Sequence, residues 1–181
     1  MTWDIQLFEA INGLAGTSAL LDDLMRALGR PGSLWVPGLL AGGYWIWANR
    51  REALIGIPAL LTLIVAADAF GARIKDLVAR PRPCQVLHGV HEIVGCGKTF
   101  SFPSNHALNT AAAAAFFQVL YPQSGWVTWP IVAMIGLSRV YVGGHYVTDV
   151  IGGWAIGAVV GASAAFLLLR WRRFRLAAAN E

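Results

Sequence analysis

Residues 150–169 read VIGGWAIGAVVGASAAFLLL, twenty positions without a charged side chain. At 1.5 Å per residue a helix of that length is about 30 Å long, the thickness of a bilayer's hydrocarbon core. Arg170, Arg172, Arg173 and Arg175 follow at once, as expected of a span that stops at an interface. The run must be helical, because an open strand in lipid leaves backbone groups unpaired. Its small residues (Gly152, Gly153, Gly157, Gly161 and Ser163) would let a neighbouring helix approach closely.

Four more apolar stretches lie upstream, at about 33–48, 53–72, 104–121 and 126–142. The first carries Trp35, Tyr44, Trp45 and Trp47 near its ends, and the third contains the run from Ala111 to Ala115. The expected fold is all-α: an integral membrane helical bundle of about five transmembrane helices. Composition agrees. The 181 residues are 56% hydrophobic and 13% charged, with a mean hydropathy of +0.55, whereas soluble domains carry about 25% charged residues. That argues against a soluble enzyme, a nucleic-acid binder and a disordered chain. The length allows a single domain over 1–181.

Residues 1–32 differ. Ile5, Phe8, Ile11, Leu21, Leu24, Met25 and Leu28 alternate with Asp4, Glu9, Asp22, Asp23 and Arg26, and Gly29-Arg30-Pro31-Gly32 close the stretch. One or two N-terminal amphipathic interfacial helices are expected; a sixth, irregular span is the alternative. No basic segment precedes a clean apolar run, so a cleaved signal peptide is not expected. The core is then 33–169, and 170–181 a basic tail.

Arg50-Arg51 and the Arg group at 170–175 fall on one membrane face if five spans alternate, and the positive-inside rule makes that face cytoplasmic. The opposite face also carries cations: Arg73, Lys75, Arg80, Arg82 and Lys98. Three motifs account for several of them. Lys75-Asp-Leu-Val-Ala-Arg80-Pro81-Arg82-Pro83 lies where the second span ends, and by itself reads as a basic helix cap. Phe102-Pro103-Ser104-Asn105-His106 opens the third span, where free N–H groups make an anion site; by itself it reads as an N-cap beside an incidental His. Ser138-Arg139-Val-Tyr-Val-Gly143-Gly144-His145-Tyr-Val-Thr-Asp149 joins the fourth and fifth spans. His145 and Asp149 are four apart and share a face if the segment is helical. A carboxylate beside an imidazole fixes its tautomer and steadies the charged ring.

Together the motifs gather three cations, two histidines, a helix N-terminus and an Asp at one face, a set suited to binding and cleaving a phosphate. In these residues and spacings the chain resembles the type 2 phosphatidic acid phosphatase (PAP2) superfamily: Lys75…Arg82-Pro83, Pro103-Ser104-Asn105-His106 and Ser138-Arg139…His145…Asp149. Asn105 departs from the Gly usual there. The resemblance implies a membrane lipid phosphatase. His145 would be the nucleophile, Asp149 its partner, and His106 the acid and then the base. Lys75, Arg82, Arg139, Ser104 and the Asn105 region would hold the phosphoryl oxygens. Ser138 is expected to be structural or a secondary phosphate contact, and Arg80 to stand behind the site. Fixed cations can do the work of Mg²⁺, so neither a metal nor another cofactor is expected. The expected partners are a lipid phosphate or diphosphate and the bilayer, with no nucleic acid; undecaprenyl diphosphate is the favoured substrate, and phosphatidylglycerol phosphate, phosphatidic acid, lipid A phosphate or transfer of the phosphoryl group to a second lipid are the alternatives. The likeness to small bacterial members implies an inner (cytoplasmic) membrane, and the Arg groups then turn the site to the periplasmic or extracellular side. Oligomeric state is open.

Cys84 and Cys96 lie in the loop between the first two motifs and read either as a disulfide in an oxidising compartment or as two free thiols. His88, His91 and Cys96 lack a zinc-like spacing and read as polar loop residues. Asp68, inside the second span, is expected to pair with Arg73 or a motif cation, or to accept from backbone.

Overall fold

The computed structural model describes residues 2–30, 32 and 35–178, and every regular element among them is helical. Pro31, the expected first-span start at Ser33, and residues 179–181 of the tail lie outside the described residues. The elements are α1 (Thr2–Asn12), α2 (Ala19–Gly29), α3 (Trp35–Ala48), α4 (Arg50–Val78), α5 (Pro83–Val86), α6 (Asn105–Leu120), α7 (Gly125–Tyr141) and α8 (Val147–Ala178). A 3₁₀ turn at Pro122–Ser124 links α6 to α7.

Two helical stretches, Arg50–Val86 and Val147–Arg175, are long and apolar enough to cross a membrane. The other three expected spans appear as shorter helices of 14, 16 and 17 residues, α3, α6 and α7, below the ~20 of a full perpendicular span. α4 outruns its expected end, so Lys75 sits within the helix. α8 likewise continues through Arg170–Arg175, with neither Gly nor Pro to stop it, so the basic groups ride on the helix itself and not on a separate tail.

α6 and α8 form the centre. Gly157 and Gly161 of α8 press on the backbone of α6: a Cβ at either would lie 2.1 Å from the carbonyl oxygen of Leu108 or Ala112. Ala107, Ala111, Ala112 and Phe116 of α6 are buried. The outer surface is apolar, with Trp35, Leu39, Trp47, Leu77, Trp126 and Phe166 exposed. A large exposed apolar surface suits lipid contact.

At the start of α4, Tyr121 Oη donates to Glu52 and accepts from Trp45 Nε1 (2.8 Å), while Arg172 Nη2 donates to the Glu52 carbonyl at 3.3 Å. Lys75 is 23 residues further along α4, about 35 Å at 1.5 Å per residue, close to one hydrocarbon thickness.

The N-terminal segment forms two helices, with Ser18 capping α2. α1 turns Asp4, Phe8 and Asn12 inward. Asn12 Nδ2 donates to the carbonyls of Tyr141 (2.8 Å) and His91 (3.0 Å), and its Oδ1 accepts from the His91 N–H at 2.9 Å. Met25 of α2 clusters with Tyr141 and Val142. Both helices therefore lie over the junction of α7 and α8.

Candidate active site

Ala79, in the left-handed region at φ 48°, ends α4 and donates to the Lys75 carbonyl. The Lys75 ammonium turns inward, bonding the carbonyls of Phe100 (3.0 Å), Ser101 (3.3 Å) and Pro103 (2.5 Å). It thereby ties α4 to the segment that leads into α6. Lys98 and Phe100 line a cavity of about 290 Å³ beside Lys75, with Asp76 and Gln85.

Pro81 and Pro83 bracket Arg82 and hold it extended. Its Nε donates to the Thr99 carbonyl (2.7 Å), Nη2 to Thr99 Oγ1 (3.0 Å) and Nη1 to the Gly144 carbonyl (2.9 Å). Nη1 also stands 3.1 Å from His145 Nε2. A guanidinium only donates, so Nε2 is the acceptor and the ring proton is on Nδ1. The loop that supplies Thr99 is pinned by a disulfide between Cys84 and Cys96. A Cβ at Gly97 would come within 2.8 Å of Arg82 Cζ, so the loop backbone lies directly on the guanidinium.

Ser104 opens α6. Its N–H donates to the Asp149 carbonyl at 3.0 Å, and its buried hydroxyl has no partner. The first N–H groups of α6 have no acceptor within the helix and carry its positive dipole end. Asn105 turns its side chain to α4, where Asp68 Oδ1 accepts from Asn105 Nδ2 (2.7 Å) and Asn109 Nδ2 (3.1 Å). Asp68 was expected on a cation or on backbone; instead two side-chain amides hold it. His106 lies in the first turn of α6, in the field of Arg139 and Arg82.

Arg139, 7% exposed, donates through Nη1 to the Gly29 carbonyl, while its buried Nε has no partner. Ser138 Oγ donates to the Ile135 carbonyl (2.7 Å) within α7, which gives it a helix-internal bond. Gly143, at φ 83°, breaks the chain after α7, and the N–H groups of Gly144 and His145 return to the Arg139 carbonyl at 3.2 Å each.

His145 therefore precedes α8, so the helical condition for a face shared with Asp149 is not met. Its Nδ1 lies 3.7 Å from Asp149 Oδ2, beyond a hydrogen bond. The carboxylate is already engaged: Oδ2 accepts from the Ser101 hydroxyl and the Tyr146 N–H (2.8 Å), and Oδ1 from Arg80 Nη1 (2.6 Å). Burial, helped by the charges of Arg82, Arg139 and Lys75, outweighs Asp149 and holds the imidazole down at about 3. The ring is neutral, with its Nε2 lone pair facing Arg82.

Lys75, Arg82 and Arg139 thus converge around His145, while Asp149, the carboxylate beside it among the described residues, is paired with Arg80. The arrangement is a buried, cationic, hydrogen-bond-rich cluster with unfilled donors, suited to a phosphoryl group. Sequence reasoning did not single out Ser101 or Asp4. Ser101 carried no signal beyond lying two residues before Pro103. Asp4 had one: it occupies the same helix stripe as Phe8 and Asn12, where an acid has no place unless it is paired.

The sequence model of the PAP2 superfamily matches residues 56–175. Undecaprenyl-diphosphatase BcrC of Bacillus subtilis is 29% identical over 173 residues, covering 92% of this chain and 82% of its own. Decaprenylphosphoryl-5-phosphoribose phosphatase of Mycolicibacterium smegmatis is 38% identical over 157 residues, covering 76% and 81%. Among solved structures, the transmembrane PAP2 type phosphatidylglycerolphosphate phosphatase of Bacillus subtilis superposes with a TM-score of 0.72 at 23% identity, over 93% of this chain and 86% of its own.

Proposed function

The chain belongs to the PAP2 superfamily of phosphate-ester hydrolases, and on that footing we propose that it is a multi-pass membrane lipid phosphatase working through a phosphohistidine. His145 Nε2 attacks phosphorus and forms the N–P bond as the P–O bond to the leaving group breaks. His106 gives that oxygen a proton. Water, deprotonated by His106, then attacks the phosphohistidine, releasing phosphate and restoring the imidazole. Lys75, Arg82, Arg139, the Ser104 hydroxyl and the N–H groups at the start of α6 hold the three equatorial oxygens. The work is positioning and charge stabilisation. Asp149 closes on the Nδ1 proton as the ring gains positive charge.

The observation that carries this reading is the unfilled donor set. Ser104 Oγ and Arg139 Nε are buried without partners, and His145 Nε2 is engaged by Arg82. Buried donors left unpaired in a cationic cluster are what an incoming phosphate would satisfy. The favoured substrate is undecaprenyl diphosphate, cleaved to the monophosphate. The support is the compact chain and the named activity of the Bacillus relative. The alternatives are phosphatidylglycerol phosphate, phosphatidic acid, lipid A phosphate, or transfer of the phosphoryl group to a second lipid. The five helices α3, α4, α6, α7 and α8 would cross a bacterial inner membrane with the site on the periplasmic side. The Arg groups at both α4 and α8 ends support that orientation.

His145→Ala should abolish phosphate release in detergent while the protein stays monodisperse; substantial turnover would overturn the nucleophile. A panel of undecaprenyl diphosphate, farnesyl diphosphate, phosphatidylglycerol phosphate, phosphatidic acid and lipid A separates the substrates. Equal rates on all would defeat the specific assignment.

A further inference from the structure

Asp4 is fully buried, and its partners all lead to the catalytic pair. Its Oδ2 accepts from Arg80 Nη2 (2.7 Å) and Thr148 Oγ1 (2.5 Å), and its Oδ1 from the Thr148 N–H at 3.1 Å. Arg80 uses its other branch, Nη1, on Asp149 Oδ1 at 2.6 Å and Thr148 Oγ1 at 2.7 Å. Its guanidinium lies over the Tyr146 ring, 3.9 Å from the centroid. One arginine therefore bridges two buried carboxylates, one on α1 and one beside His145. We propose that Asp4 is a positioning residue for the phosphatase reaction. It acts through Arg80 to set both the place and the effective charge of Asp149, and so makes the N-terminal helix part of the catalytic apparatus. The proposal rests on the reading of His145 and Asp149 given above.

The charge balance explains why a second carboxylate is needed. Were Arg80 to face Asp149 alone, its full charge would fall on the group that must stabilise the cationic, phosphorylated ring of His145. Asp4 takes up one branch of the guanidinium and shares that charge, leaving Asp149 negative enough to close the 3.7 Å gap to Nδ1. The forked geometry of Arg80 allows both bonds at once, which a lysine could not provide. Asp4 meets neither phosphate nor the reacting nitrogen, so its effect belongs in turnover and not in substrate binding.

The test is a cycle of Asp4→Asn, Arg80→Gln and the double variant in full-length protein, with His145→Ala as control. Phosphate release from dioctanoyl phosphatidic acid is followed in detergent. Asp4→Asn keeps the size of the side chain and its acceptor for the Thr148 N–H. It should lower kcat by about tenfold to a hundredfold, by analogy with the loss of an outer partner behind a metal-bound histidine, with KM changed by less than about twofold. The double variant should be no slower than Arg80→Gln by more than about twofold, because the proposed effect of Asp4 on Asp149 passes through Arg80 and the Asn side chain still accepts from the Thr148 N–H. Additive losses, or wild-type kcat in Asp4→Asn, overturn the proposal. Should Asp4→Asn elute as aggregate, Arg80→Lys carries the test: it keeps the charge but cannot serve both carboxylates. The same kcat loss at constant KM is expected, and wild-type kcat overturns the proposal. Turnover in His145→Ala would instead defeat the nucleophile assignment itself.

Discussion

Alanine at position 157 would put its Cβ 2.1 Å from the Leu108 carbonyl oxygen and 3.0 Å from the Ala112 nitrogen. Ordinary contact begins near 3.4 Å, so α8 would have to retreat from α6 by about 1 Å or rotate. Overpacking of a tight contact costs about 1–3 kcal/mol. For a chain of this length that corresponds to a melting point lower by roughly 2–12 °C, taking about 2–4 °C per kcal/mol. The effect should also reach the chemistry, because α6 and α8 carry opposite walls of the site: Ser104 bonds the Asp149 backbone across the same interface. The assay is thermal unfolding of Gly157→Ala and Gly38→Ala in one detergent, with phosphate release measured on both. Gly38 has nothing within 4 Å of the added carbon, so Gly38→Ala should unfold at or slightly above the wild-type temperature and keep full turnover. Equal melting points for the two variants would refute the close-packing argument.

Three other outcomes follow from the geometry. Replacing Cys84 and Cys96 by Ser opens the loop that presents Thr99 to Arg82; unfolding free energy should fall by about 2–3 kcal/mol and phosphate should inhibit less tightly, read by denaturation and by an inhibition constant. Tyr121→Phe removes the bond to Glu52 and the acceptor of Trp45 at the far end of α4; it should cost about 1 kcal/mol and leave kcat unchanged. His145, held at about 3 against an ordinary 6.5, takes a proton in the unfolded chain that it refuses in the folded one. Its contribution to stability is therefore complete above pH 6.5 and is lost as pH falls toward 3, by about 1.4 kcal/mol per unit. His145→Gln should flatten that slope, and ¹⁵N shifts of the wild-type ring should show no titration between pH 5 and 8.

The membrane character and the motif residues were legible because they depend on local sequence. Apolar runs mark the helices, and the spacings from Lys75 to Arg82 and from Arg139 to His145 are short enough to read directly. Helix ends were less legible. Lys75 and Arg170–Arg175 extend their helices, since neither residue type breaks one. The pairing of His145 with Asp149 was legible from their spacing, but the shared helix face was not, because Gly143, at positive φ, ends the helical register just before them. Asp4, Asn12 and Asp68 meet partners 37 to 144 residues away, and no periodicity encodes such pairings. What the sequence could have offered was their presence on apolar stripes, where a buried polar group demands a partner.

The central claim is that His145 becomes phosphorylated. Wild-type protein is mixed with radiolabelled phosphatidic acid, quenched in alkali within one turnover, digested and sequenced by mass spectrometry. The account predicts an acid-labile, alkali-stable phosphoryl group on the peptide bearing His145, absent from His145→Ala. Steady turnover with no label on His145, or label on another residue that survives in His145→Ala, would contradict it.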